Sequence, residues 1–441
     1  LTETSKGLPV YAEWYYGPQI RNLISYKYTA TKLPGYFSDL MVTSSFQDIE
    51  ESRISRRYNS TAKDFRFERV HVLGVNADLL HKQSNGEIHL GAESYTNFVR
   101  STAERLNIAT SALSRITTRY SDGPTKMSYN ALYLQQTKQL DAHWVLNDGI
   151  RLNLVQLDAR FADTTLMHFP FNRAIQNNTA VTGNLGIAYN GENGYRATAG
   201  LSSGFRSPNV DDLTKVFDTK TGYVVVPNKD LKPEYTYNAE INISHTGNIA
   251  SWGASVFYTW FNNAIVVSKY NWNGQDNIMY QNVLSAVYAP QNQASAKLYG
   301  FNLNGKIKLF YNTQLQGTYT YTKGTYNNGT SSMPLDHIPP AYGRVGLKKG
   351  ADKFNVEGYV LFNGWKRMRD YNLNGEDNEL YATPDGMPSW MTVNFSSYYT
   401  PNKKLSLGLQ IENIADKNYR YFASGISAVG RNFIVSCRVS L

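Results

Sequence analysis

The sequence predicts an all-β protein, a transmembrane antiparallel β-barrel, and three observations carry that prediction. Apolar and polar residues alternate with a period of two through segment after segment. Short turns and long polar connections alternate along the chain. No stretch approaches the roughly 18 consecutive apolar residues that a spanning helix needs.

The alternation is clearest near the end of the chain. Phe433, Val435, Cys437, Val439 and Leu441 alternate with Ser436, Arg438 and Ser440. Leu405, Leu407, Leu409 and Ile411 alternate with Ser406, Gly408, Gln410 and Glu412. Val181, Leu185, Ile187 and Tyr189 do the same, as do Tyr195, Ala197, Ala199 and Leu201. Successive strand side chains point to opposite faces, so each segment has one apolar and one polar face. The segment Ile150–Phe161 slips by one near Leu154 and Val155, which predicts a bulge.

Turn signals stand at Asn85-Gly86, Asp148-Gly149, Asn190 to Gly194, Thr246-Gly247-Asn248, Tyr311-Asn312, Lys349-Gly350 and Pro401-Asn402. Asn-Gly and Asp-Gly supply the positive φ angles of tight hairpins. Between them lie long polar connections near 103–125, 162–176, 206–232, 266–294, 324–338, 367–388 and 413–427. A soluble sandwich has no reason to place every long loop at one end. A bacterial outer-membrane barrel does, with short periplasmic turns and long external loops. Apolar side chains then face lipid. Arg196, Arg438 and Glu412 face a wet lumen, and the 33 tyrosines suit interfacial girdles.

Composition excludes other classes. The single cysteine rules out a disulfide framework, a Cys-based zinc site and an iron–sulfur cluster. Mean hydropathy of −0.44 argues against a helical membrane protein, and 13% aromatic residues argue against disorder. The net charge of +9 comes without an aromatic-basic module, so no nucleic-acid partner is expected. Gly200-Leu201-Ser202-Ser203-Gly204 matches a hydrolase pattern, but its serine falls inside an alternating strand rather than a strand–turn–helix elbow. No enzymatic activity is expected.

The spans give about 17 strands, from near 17–31, 38–58, 65–83 and 86–102 to 428–441. Single-chain bacterial barrels have even strand numbers, so the chain reads as the C-terminal portion, residues 1–441, of a barrel lacking its first strands. With about five more strands it would reach the 22-stranded class that carries a plugged lumen.

Four motifs in order then resemble the TonB-dependent receptors of Gram-negative outer membranes. Gly204-Phe205-Arg206-Ser207-Pro208-Asn209 with Leu213 resembles the family's Phe-Arg-Ala-Pro box. Asn228-Lys229-Asp230-Leu231-Lys232-Pro233-Glu234 resembles its Asn-Pro-Asn-Leu-Lys-Pro-Glu box. Ile338-Pro339-Pro340, after Pro334 and Leu335, resembles the step following a later external loop. Glu412-Asn413-Ile414-Ala415-Asp416-Lys417-Asn418-Tyr419 resembles the penultimate-strand motif. Gly375-Glu376-Asp377-Asn378 and the 424–432 segment are similar to the Bacteroidetes branch. Two departures stand out: Asn-Lys-Asp-Leu in place of Asn-Pro-Asn-Leu, and a final Leu441 in place of an aromatic.

The resemblance implies an active importer in the cell outer membrane, with an N-terminal plug that this sequence does not include. Its implied partners are the TonB–ExbB–ExbD energising complex, outer-membrane lipid and lipopolysaccharide, a surface lipoprotein, and a small-molecule chelate as cargo. The cargo would be a ferric siderophore, haem or another metal chelate. The other readings of the same barrel are a passive porin or channel, and the barrel component of a surface adhesion or secretion assembly.

Haem iron takes His, Tyr, Cys or Met as axial ligands. Between Arg206 and Asn228 there is no histidine, and Tyr223 is the only such residue. His337 and His168 lie in other external connections and complete the ligand-binding candidates. The box residues have two readings, direct ligand contact and loop architecture. In the second, Pro208 and Pro233 end strand pairing, Phe205 and Leu231 pack at the loop base, and Arg206 pairs with Glu234 or with Asp211 or Asp212. Asp370, Asn372, Asn374, Asp377 and Glu379 alternate around Gly375 like oxygen ligands of a Ca²⁺ loop, although Tyr381 stands where a bidentate glutamate would close it.

Overall fold

A computed structural model describes residues 4–5, 8–9, 11–166, 169–217, 222–280, 283–292, 295–327, 331–373 and 377–440. A first strand, Tyr11–Tyr16 continued by Ile20–Thr31, leads into the long strands Asp39–Arg57, Ala62–Gln83 and Gly86–Asn107. The wall then runs through Thr125–Gln139, Trp144–Arg160, Arg173–Asn190, Tyr195–Arg206, Glu234–Thr246, Ala250–Asn262, Ser295–Lys308 and Thr313–Asn327. It ends with Tyr342–Ala351, Phe354–Asn363, Trp390–Asn402, Leu405–Glu412 and Asn432–Val439. These seventeen strands, among the described residues, pair antiparallel with their chain neighbours in one sheet that curls into a barrel wall.

The wall sorts its side chains as the alternation requires. Val181, Leu201, Ile241 and Val256 point outward and are 58–60% exposed, an apolar belt with no protein cover. Facing inward on the same strands are Asn238, Glu240, Asn242, Ser244 and Ser255, joined by Asn302, Asn304, Thr318 and Arg344. Two pairs of charges meet on the inner face: Arg344 Nη2 lies 2.5 Å from Glu357, and Arg151 pairs with Glu93. No helix of the described residues is long and apolar enough to cross a membrane, which says nothing about crossing by strands.

From Gly86 onward the connections alternate short and long. The short ones occupy 140–143, 191–194, 247–249, 309–312, 352–353 and 403–404, and the long ones 108–124, 161–172, 207–233, 263–294, 328–341, 364–389 and 413–431. Three turn assignments shift. Asp148-Gly149 lies inside Trp144–Arg160, and the reversal is made by Asp141, whose Oδ1 accepts the N–H groups of His143 and Trp144 at 2.8 Å. Gly149 serves a close approach instead: a Cβ there would stand 2.9 Å from Asn184 Oδ1. Lys349-Gly350 and Pro401-Asn402 likewise fall within strands, just before their turns.

The expected bulge at Leu154 and Val155 is absent. Trp144–Arg160 keeps an unbroken register with both neighbours. What changes is the face that is apolar. Ile150 and Leu154 point outward and are exposed, whereas Val155, Leu157 and Ala159 point inward and are buried. The strand carries no bulge, and the environment on its inner side switches from a polar lumen to a packed core.

Candidate functional site

That core fills the long-loop end of the wall. Met127, Val155, Leu157, Ala159 and Ala174 pack against Leu213 and Leu231 from the 207–233 connection, with Phe205 and Val210 beside them. A second core joins connections 207–233 and 263–294. Tyr223–Val225 pairs parallel with Val283–Asn292, which pairs antiparallel with Ile265–Lys269 and Asn277–Tyr280. Val224, Val226, Val287 and Ala289 are buried there under Trp272, Phe169 and Phe171.

The first two motifs build the joint between this cap and the wall. Pairing along Tyr195–Arg206 stops before Pro208, and Glu234 opens the next strand directly after Pro233. Asn209 caps the short helix Val210–Thr214 by a reciprocal box: its Oδ1 accepts the Asp212 N–H at 3.0 Å, and Asp212 Oδ2 accepts the Asn209 N–H at 2.9 Å. Arg206 crosses the gap. Its Nε donates to Glu234 Oε1 at 2.6 Å and its Nη1 to Asp212 Oδ2 at 2.7 Å. Glu234 Oε2 accepts the Ile265 N–H at 2.8 Å, bringing in the neighbouring connection. Burial raises the Asp212 carboxyl above its usual value, and the Arg206 guanidinium opposes that shift.

Other anchors surround this joint. Asn228 Nδ2 donates to the Pro290 carbonyl at 2.9 Å, and its Oδ1 accepts the Asp230 N–H. Tyr120 Oη donates to Asp211 Oδ1 at 2.9 Å, and burial with that carboxylate pushes its phenol up to about 12. The side chains of Arg206, Asn209, Asn228 and Glu234 thus tie the 207–233 connection to the wall and to the 263–294 connection. Arg206 takes two of its expected partners at once, Glu234 and Asp212.

The penultimate-strand motif is hydrogen-bonded into its own turn. Asn413, 2% exposed with φ 50°, donates its N–H to Asn394 Oδ1 and clamps Lys417 through both its side-chain atoms. Trp390 packs on Tyr419 and Tyr421 at 4.4 and 5.0 Å between ring centroids. The Ile338 carbonyl accepts the Lys366 ammonium at 2.6 Å, joining the Ile338-Pro339-Pro340 step to the next long connection.

The candidate ligand residues separate. Tyr223 is 5% exposed and packed into the cap, its ring stacked on Tyr288 at 4.0 Å. His168 and Asn374 lie outside the described residues. His337 is exposed at the mouth and meets Asp336 and Asp377. Of the Ca²⁺-loop candidates, the carboxylates of Asp370, Asp377 and Glu379 form no common cluster among the described residues. Asp377 is held elsewhere, its two oxygens accepting the His337 N–H at 2.7 Å and the Asn372 N–H at 2.8 Å. Sequence reasoning missed the cap core, whose signal was the run Tyr223-Val224-Val225-Val226 within a polar connection, and it missed Lys366.

The TonB dependent receptor-like, beta-barrel family matches residues 8–414. Haemophilus influenzae hemoglobin and hemoglobin-haptoglobin-binding protein A is 28% identical over 246 residues, which is 52% of this chain and 22% of that protein. Lactoferrin-binding protein A of Neisseria meningitidis serogroup A is 26% identical over 261 residues, 54% of this chain and 26% of its own. Each match thus spans about a quarter of its relative. Among solved structures, the copper transporter OprC superposes with a TM-score of 0.80 at 15% identity, covering 96% of this chain and 65% of its own. The Serratia marcescens hemophore receptor HasR, in complex with its hemophore HasA and heme, gives 0.70 at 14% identity, covering 97% and 66%. At these identities the structures speak for the fold alone.

Proposed function

Because the chain belongs to the TonB-dependent receptor β-barrel family, we propose that it is the wall and external cap of an energised outer-membrane importer for an iron-bearing ligand. The observation that carries the reading is the division of the interior. Above, the motif boxes knit three long connections into a packed cap. Below, the wall is polar, with a recess of about 830 Å³ lined by residues such as Asn242, Ser255, Asn304, Thr318 and Arg344. A cap on a hydrated passage suits a receptor that captures cargo outside and releases it inward. The rest of a 22-stranded wall, the plug and the TonB–ExbB–ExbD complex that pulls on it belong to the same proposal.

Relatives named for hemoglobin, haptoglobin and lactoferrin favour cargo drawn from an iron-carrying protein, with haem ahead of a free siderophore. No haem ligand is assigned, since Tyr223 is packed away. Binding would rest on aromatic and polar groups of the cap and plug, without covalent chemistry. Deleting the gene and testing growth on haem, hemoglobin, lactoferrin and a ferric siderophore as sole iron sources checks this. Loss on haem or hemoglobin alone supports the reading. Unimpaired growth on all four contradicts it and leaves the passive channel or the adhesion and secretion component.

A further inference from the structure

We propose that Asp336, His337 and Asp377 form a site for one divalent transition-metal ion that staples two long connections together. An imidazole nitrogen and a carboxylate oxygen from each aspartate lie within 4.8 Å of one another. Asp336 and His337 come from the 328–341 connection and Asp377 from 364–389, so an ion held by all three reinforces a joint now made by the His337 N–H to Asp377 and Lys366 to Ile338 hydrogen bonds. The inference does not rest on the transport reading.

Asp377 is the strongest argument. Its carboxylate is 0% exposed, and the two N–H groups that bind it are neutral backbone donors. They orient the group and still leave lone pairs open, since a carboxylate has about four acceptor sites. A buried carboxylate needs a counter-charge. The neighbouring cation, Lys366, places its ammonium on the Ile338 carbonyl and attracts Asp377 through space, without a direct ion pair among the described residues. A bound cation would add a charge in direct contact.

Ligand chemistry sets the class. Ca²⁺ and Mg²⁺ select all-oxygen shells, whereas an imidazole with two carboxylates suits Zn²⁺ and its first-row neighbours. Ligand bonds of about 2.1 Å in a tetrahedral shell put donor atoms roughly 3.4 Å apart. The three donors must therefore close by about 1 Å, and the exposed His337 ring can make that movement.

Isothermal titration of the full-length, chelator-treated protein in detergent tests the site, with Zn²⁺ and Ca²⁺ as the probes. The expected result is one Zn²⁺ per chain, with Ca²⁺ at least tenfold weaker. His337→Ala should weaken Zn²⁺ binding tenfold or more while the circular dichroism spectrum is kept. Should Asp377→Asn fail to fold, His337→Ala and Asp336→Asn still decide. Zn²⁺ binding unchanged in His337→Ala, equal binding of Ca²⁺, or no binding of either ion would overturn the proposal.

Discussion

Replacing Arg206 with alanine should release the 207–233 connection from the wall while leaving the wall paired. The side chain makes two charge-assisted hydrogen bonds, to Glu234 at 2.6 Å and Asp212 at 2.7 Å. Such bonds contribute about 1.5–3 kcal/mol each when well shielded. Arg206 is 40% exposed, so solvent screens both. Each orphaned carboxylate also keeps a backbone N–H, from Ile265 or Asn209. The lower end applies, and the two together come to roughly 2–3 kcal/mol. At about 1.4 kcal/mol per tenfold, amide exchange at Asp212 and Leu213 should quicken by about 30- to 150-fold. Peptides from Glu234–Thr246 should be unaffected. Arg206→Lys should lose about half as much, because a point charge cannot bridge two carboxylates as a planar fork does. Hydrogen exchange with mass spectrometry on the detergent-solubilised protein reads all of this. Exchange within twofold of wild type, accompanied by weakened cargo binding, would refute the architectural reading and make Arg206 a ligand contact.

Leu213→Ala removes a fully buried anchor and should cost about 3–5 kcal/mol of cap stability, visible as protease nicking within 207–233 while the wall resists. Asp212 carries a pH signature. Its carboxyl is raised in the folded state, so its contribution is greatest below the unfolded value near 3.8 and declines as pH rises through the folded one. Without Arg206 the decline should move to higher pH, readable as pH-corrected exchange at Leu213. Val256→Arg on the outer face should destabilise the protein in lipid vesicles by about 2–4 kcal/mol, whereas Ser255→Arg on the lumen face should cost little in the same urea titration.

Period-two alternation and turn chemistry made the wall legible because both are local. A strand with lipid on one side and water on the other must alternate, and the loop rhythm follows the membrane. The rule stops where the surroundings change. Val155, Leu157 and Ala159 looked like a register slip because alternation presumes one apolar face along the whole strand, and here the cap makes the inner face apolar near the strand end. The box residues could be placed but not assigned, since Arg206 meets Glu234 only after a connection of 27 residues folds back. Asp377 was grouped with its sequence neighbours, yet its oxygens turn to His337, 40 residues away, a contact no local spacing announces.

The central claim is energised import across this wall, and accumulation of radiolabelled haem iron in the periplasm tests it most directly. Cells making the full-length protein should accumulate label only while TonB and the proton-motive force are intact, with surface binding kept when either is removed. Accumulation that continues down its gradient without TonB would contradict the account and mark the barrel as a passive channel.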